Sequence, residues 1–176
     1  VCSPSAVSHI PVLLDECMEF LAPAQGGHFA DLTFGGGGHS RAILELNAEN
    51  TLMAMDCDPD ATDRSLPISD EFGDRFRFED RSFIEFDQVS SEADFDGVLM
   101  DLGISSFQLM EPLKGFSFRL DAPIDMRLNP RVGQSAAEFL ETASRDSWVR
   151  AVRGYGVERR WKGVLSAIRK HSGNGF

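Results

Sequence analysis

From residue 10 to residue 101, short apolar runs alternate with polar stretches of helical period. Residues 10–21 place Val12, Leu13, Cys17, Phe20 and Leu21 near one helical face. The proline and glycines of residues 23–27 end that helix. Residues 29–34 read as a buried strand, residues 35–38 as a glycine turn and residues 40–46 as the start of a helix. Residues 51–56 form a second strand. Between residues 57 and 74, Pro59 and Pro67 limit any helix to a short one. Residues 76–79 are a third strand, residues 84–90 a short helix, and residues 95–101 a fourth strand with a strongly apolar centre. Strands that alternate with helices through short connections predict an α/β fold, with a parallel sheet covered on both faces.

After Asp101 the pattern changes. Residues 102–133 mix glycine, proline and polar residues with scattered phenylalanine and methionine, as a long functional loop does. Residues 134–170 are helical in two pieces, broken near Gly154, Tyr155 and Gly156. The shift near residue 104 marks the expected boundary between a first part, 1–104, and a second, 105–176. No repeat or low-complexity tract interrupts either.

Composition narrows the class. A chain of 176 residues with 42% hydrophobic and 26% charged residues is neither disordered nor fibrous. No apolar run nears the ~20 residues of a membrane helix, and residues 1–5 lack the basic and apolar regions of a secretory signal. Cys2, Cys17 and Cys57 are too widely spaced for a zinc ribbon or redox pair, so a reduced compartment is expected. The net charge of −11 hides an asymmetry. Residues 1–100 carry 20 acids against 5 bases, whereas residues 101–176 carry 8 against 12. A polyanion would meet the second part, although arginine on helix surfaces gives the same balance without a partner.

Chemistry concentrates at the strand ends. The first strand runs into Gly35, Gly36, Gly37, Gly38 and His39, where glycine admits positive φ and close approach of a ligand. No Walker lysine follows. Asp56 ends the second strand, about 20 residues on, where an acid bonds ribose hydroxyls or simply closes a turn. Asp31 precedes the glycines. An acid there suits a ligand with a cationic amino group better than a pyrophosphate, which favours S-adenosylmethionine (SAM) over NAD. Phe83 follows the third strand, either beside an adenine pocket or within the core. Asp101 ends the fourth strand, where open α/β sheets bind their ligands. Gln108 and the charged, aromatic residues 115–127 follow, too polar for core and suited to a binding wall. His9, His28 and His171 have no partner at metal-ligand spacing, so no metal is expected.

Several stretches resemble the small-subunit ribosomal RNA methyltransferase H family, also called MraW. They are His9 to Glu16, DLTFGGGGHSR, MDCDPDA, GVLMDLGISSFQL, GFSFRLDAPIDMR, GQSAAEFL and the segment from Tyr155 to Arg159. The resemblance covers residues 9 to about 170. It implies a class I SAM-dependent methyltransferase sheet of Rossmann-like form, incomplete here, with the start of a helical domain inserted after the fourth strand. It also implies methylation of a cytidine N4 amine in the decoding centre of small-subunit rRNA. By similarity the cofactor contacts fall on Gly37, Gly38, His39, Asp56, Phe83, Asp101 and Gln108. Phe116, Phe118, Arg119, Asp121 and Arg127 fall on the substrate side, with rRNA or a ribosomal particle as partner. Asp101 and then Asp125 are the expected acceptors for the amine. Ala122 stands where the family usually has glycine, and Val157 where it usually has glutamate.

The family also continues well past residue 176, and this chain begins without methionine. A truncated chain is therefore expected, one whose fourth strand forms an apolar edge. Relatives occur in the bacterial cytoplasm and in mitochondrial or plastid matrices. Two other readings stay open: a non-catalytic fragment that binds SAM or RNA, and an NAD(P)-dependent oxidoreductase. The acid at Asp31 speaks against the oxidoreductase.

Overall fold

Alternate side chains of the central strands face opposite layers, and that alternation sets the architecture. The computed structural model describes residues 11–90, 94–119 and 121–172. Cys2, His9 and Leu120 lie outside the described residues. The chain divides into two compact units, Val1–Phe107 and Gln108–Phe176.

The first unit opens with α1 (Leu14–Leu21), followed by β1 (His28–Asp31), α2 (Gly38–Leu46), β2 (Thr51–Asp56), α3 (Asp60–Phe72), β3 (Phe76–Asp80), α4 (Phe86–Val89) and β4 (Gly97–Leu99). The strands form one parallel sheet in the order β3-β2-β1-β4. Phe29 lies opposite Leu52 in β2 and opposite Gly97 in β4. The crossovers β1–α2–β2 and β2–α3–β3 step outward in one direction. The β3–α4–β4 crossover steps back past β1. Right-handed crossovers therefore put α2 and α3 on one face and α4 on the other. The order reverses between β1 and β4, so the switch-point crevice opens beyond their carboxyl ends.

Phe29, Leu52, Ala54 and Phe76 pack with Ile43 and Leu44 of α2 and Ala61 and Ile68 of α3. On the opposite face Ala30, Met53 and Met55 pack with Phe86, Val89 and Phe95. The expected parallel sheet with both faces covered is present, and its strands carry the apolar runs that double burial requires.

Three details differ from the sequence reading. The chain reaches α1 through a left-handed Leu13 (φ 53°), so Val12 and Leu13 precede the helix. Met18 and Leu21 then pack against the core, while Phe20 is 89% exposed. Helix α3 runs through Pro67 for 13 residues. Pro67 and Asp63, whose carbonyl it leaves without a helical donor, both face solvent, which lowers the cost of the lost bond. Strand β4 keeps only three residues. It is an edge, with Val98, Met100, Leu102 and Ile104 exposed.

Helix α5 (Ser106–Met110) runs across the division in the chain. The second unit holds α6 (Ala136–Thr142), α7 (Arg145–Val149), a wide π turn (Arg150–Tyr155) and α8 (Trp161–Ser172). Besides the expected break at Gly156, the chain leaves the helix at Ala143. Ser144 then caps α7 by accepting from the Ser147 N–H, which makes three helical pieces rather than two. Trp148 is buried, with its ring 5.1 Å from that of Phe139. Ser135 and Glu138 form a reciprocal capping box at the start of α6. Among the described residues, no helix is long and apolar enough to cross a membrane.

Candidate active site

The glycine turn is the sharpest local feature of the first unit. β1 ends at Asp31, and Gly37 (φ 77°) caps the start of α2. A Cβ on Gly37 would stand 2.5 Å from Ile68 and 2.7 Å from Phe34, so neither conformation nor space admits another residue. A Cβ on Gly36 would collide with the Phe107 ring. The turn is hydrogen-bonded to the end of β2. The Phe34 N–H donates to the Met55 carbonyl at 2.9 Å, and the Gly35 N–H donates to Asp56 Oδ2 at 2.7 Å.

The acids at the strand ends occupy different environments. Asp31 is 1% exposed and accepts from Ser40 Oγ at 2.7 Å and from the Thr33 N–H at 3.1 Å. Burial raises its pKa, opposed by those two donors. Its oxygens buttress the start of α2, rather than facing an open cleft as the sequence pattern suggested. Asp56 also has its pKa raised by burial, against the pull of the Asp58 and Gly35 N–H groups. Its Oδ1 accepts from the Asp58 N–H at 2.9 Å. Each Asp56 oxygen therefore receives one backbone donor and keeps a lone pair for a ligand.

Asp101 follows β4 with an exposed side chain. Its N–H donates to Thr33 Oγ1 at 2.7 Å, which ties the ends of β1 and β4 together. Phe83, in the turn after β3, is 38% exposed and so stands outside the core clusters. The buried His39 bonds through Nε2 to the Val12 carbonyl at 3.1 Å, and a Cβ on Gly38 would meet Pro11. The segment before α1 thus lies over the start of α2. Thr33, Ser40 and Arg64 were not singled out in the sequence. Arg64 carried a signal, since it shares the inward side of α3 with Ala61, Ser65 and Ile68.

In the second unit Gln108 is buried. Phe118 is 94% exposed, with the Arg119 guanidinium 5.9 Å from its ring centroid. Phe116 is half-buried, and Asp121 is exposed. Asp125 and Arg127 are paired at 2.8 Å (Nε to Oδ1) and 2.7 Å (Nη2 to Oδ2), and Arg127 also donates to the Gly133 carbonyl at 3.1 Å. This pairing holds the Asp125 pKa down at about 2. Asp125 and Arg127 therefore engage each other, and neither presents a free charge.

A cavity of about 290 Å³ opens at the other, amino-terminal ends of the strands, lined by His28, Thr51, Met53, Arg77 and Phe95 among others. It contains none of the expected site residues. Among the described residues, no group of three or more His, Cys, Asp or Glu is placed to hold a metal ion.

An open parallel sheet that runs into a glycine turn, with acids at its strand ends, defines an α/β protein of Rossmann-like fold. The chain belongs to the MraW methylase family, whose family model matches residues 6–174. It is 41% identical to the ribosomal RNA small subunit methyltransferase H of Cyanothece sp. over 93% of this chain and 55% of that protein. Its identity to the Leptothrix cholodnii protein of the same name is 45%, over 91% of this chain and 51% of the relative. For the Thermomicrobium roseum protein of that name it is 41%, over 94% and 52%. The chain thus spans about half the length of the curated relatives it matches.

Proposed function

We propose that this chain carries the cofactor-binding part of a SAM-dependent enzyme that methylates the N4 amine of a cytidine in small-subunit ribosomal RNA. One observation carries the reading: in a chain of this family, the glycine turn is bonded through Gly35 to the ribose-type acid Asp56. The donor set fits the nucleoside. Asp56 keeps lone pairs for a pair of ribose hydroxyls, the exposed Phe83 offers a ring face to adenine, and Gly37, Gly38 and His39 line the turn. Asp101 completes the contacts assigned to the first unit. SAM supplies a methyl group on a sulfonium, already activated for transfer.

The protein's part is position and electrostatics. The cytidine N4 lone pair is delocalised into its ring and is a poor nucleophile. Asp101, exposed and anchored through its backbone to Thr33, accepts from the N4 amine and draws the nitrogen toward tetrahedral geometry. Asp125 has both oxygens on Arg127, so in this reading it shapes the loop and Asp101 is the acceptor. The base leaves its stack to react. Phe118, with Arg119 over its ring, offers the exposed platform on which RNA readers stack splayed bases, with Phe116 and Asp121 beside it in the chain. Residues 1–104 then serve the cofactor and residues 105–176 the RNA or ribosomal particle. The bacterial relatives support a bacterial cytoplasmic setting.

The other reading is a chain that binds SAM or RNA without turnover. Methyl transfer to small-subunit particles, with the corresponding Asp101→Asn change in a full-length relative, tests the first. The expected result is a fall in turnover far larger than the loss of SAM affinity. Unchanged turnover removes Asp101 from the chemistry.

A further inference from the structure

Gly35 is held from both sides. Its N–H donates to Asp56 Oδ2 at 2.7 Å, and its carbonyl accepts from Arg64 Nε at 2.8 Å. The residue sits at φ 55°, a conformation that needs support from its surroundings. The same guanidinium places Nη2 3.1 Å from Oδ2 of Asp58, whose side chain is fully buried. Asp58 Oδ1 in turn accepts from the Asp60 N–H at 3.1 Å, at the start of α3. The guanidinium also lies 5.4 Å from the Phe107 ring centroid, and that ring fills the place a side chain on Gly36 would take. One residue of α3 thereby joins the segments that follow β1, β2 and β4.

The chemistry of the side chain matters. A guanidinium is a planar fork with several fixed donors and a face that stacks on an aromatic ring, whereas an ammonium is a point charge. Arg64 uses one edge for a carbonyl, another for a carboxylate and its face for Phe107. Between Arg41 and Arg75 the sequence has no other arginine or lysine. A residue needed only for solubility would sit on the outer side of α3. Arg64 has a side chain 20% exposed, on the inner side.

We propose that Arg64 is a positioning residue for the cofactor: by clamping the Gly35 carbonyl it keeps the Gly35 N–H aimed at Asp56, so that the carboxylate faces a nucleoside in a fixed orientation. This rests on the reading of the turn as a SAM site. Loss of the clamp frees the turn to swing, and Asp56 turns with it. Affinity for the nucleoside then falls even where the fold survives.

The test titrates SAM calorimetrically into the wild-type chain, Arg64→Met, Arg64→Lys and the pair Asp58→Asn/Arg64→Met, and records a thermal melt for each. Arg64→Met weakens SAM binding roughly tenfold, the scale of one charge-assisted hydrogen bond. Arg64→Lys recovers part of the loss. The pair variant also removes the buried charge that Arg64 faces, so it regains Tm but not affinity. Recovery of both overturns the proposal and reduces Arg64 to the counter-ion of Asp58. Wild-type affinity in a folded Arg64→Met chain overturns it equally. If the wild-type chain itself does not bind SAM, the site reading fails and the proposal fails with it, a result distinct from the other two.

Discussion

Asp31 in the first unit and Asp125 in the second are the same residue type under opposite physics. Asp31 is enclosed by sheet and helix, receives only neutral donors from Ser40 and Thr33, and has its pKa pushed up by burial. Asp125 lies in a loop, is gripped on both oxygens by Arg127, and has its pKa held down at about 2. The difference follows from what surrounds each. A two-faced sheet gives the first unit enough apolar packing to keep a dehydrated carboxylate under its glycine turn. The loop of the second unit has little core, so ion pairs and caps shape it.

Breaking the packing that encloses Asp31 has the largest expected effect. Phe29 is 1% exposed at the centre of the sheet, and Phe29→Ala is expected to cost about 3–5 kcal/mol in denaturant unfolding. Next comes Gly37→Ala, which forces a Cβ into a left-handed residue against Ile68 and Phe34. A loss of about 2–3 kcal/mol is expected by the same measurement. A cost below about 1 kcal/mol would mean that the turn is slack, against the close packing found here. In the second unit, Ser135→Ala removes one half of the capping box and should cost about 1 kcal/mol.

The two aspartates sharpen the comparison through pH. Asp31 has a folded pKa above its ordinary 3.8, so its ionisation costs stability as pH rises from that value through the folded one. Asp31→Asn lacks this cost. Its Tm relative to wild type should climb as pH rises above about 4, and a flat difference would show that burial does not govern the carboxylate. Asp125 has a folded pKa below 3.8, so its contribution is present above that value and fades as pH falls toward about 2. Asp125→Asn should therefore lower the melting temperature modestly at neutral pH, the smallest effect of the set, and match wild type near pH 2.

The first unit was the more legible of the two in sequence. Apolar runs such as that of Thr51–Asp56 stand out because both sheet faces are buried, and the glycine turn announces itself by composition. Helix α1 was misjudged because a left-handed Leu13 shifts the phase of the face, which periodicity alone does not reveal. Pro59 and Pro67 predict only a short helix because the rule concerns the lost hydrogen bond, and solvent exposure of that turn relaxes it. At the site, Asp56 and Asp101 lie at strand ends as their pattern implied, whereas the enclosure of Asp31 by Ser40 depends on a contact nine residues apart. The pairing of Asp125 with Arg127 is local, yet two charges in a loop read equally well as ligands.

The central claim is that the glycine turn, joined to Asp56, grips a sulfonium nucleoside. Calorimetric titration of SAM and of NAD into the wild-type chain and into Asp56→Asn tests it most directly. The account predicts that wild type binds SAM and not NAD, and that Asp56→Asn binds SAM at least roughly tenfold more weakly. Binding of NAD in place of SAM, or an Asp56→Asn chain that titrates like wild type, would contradict it.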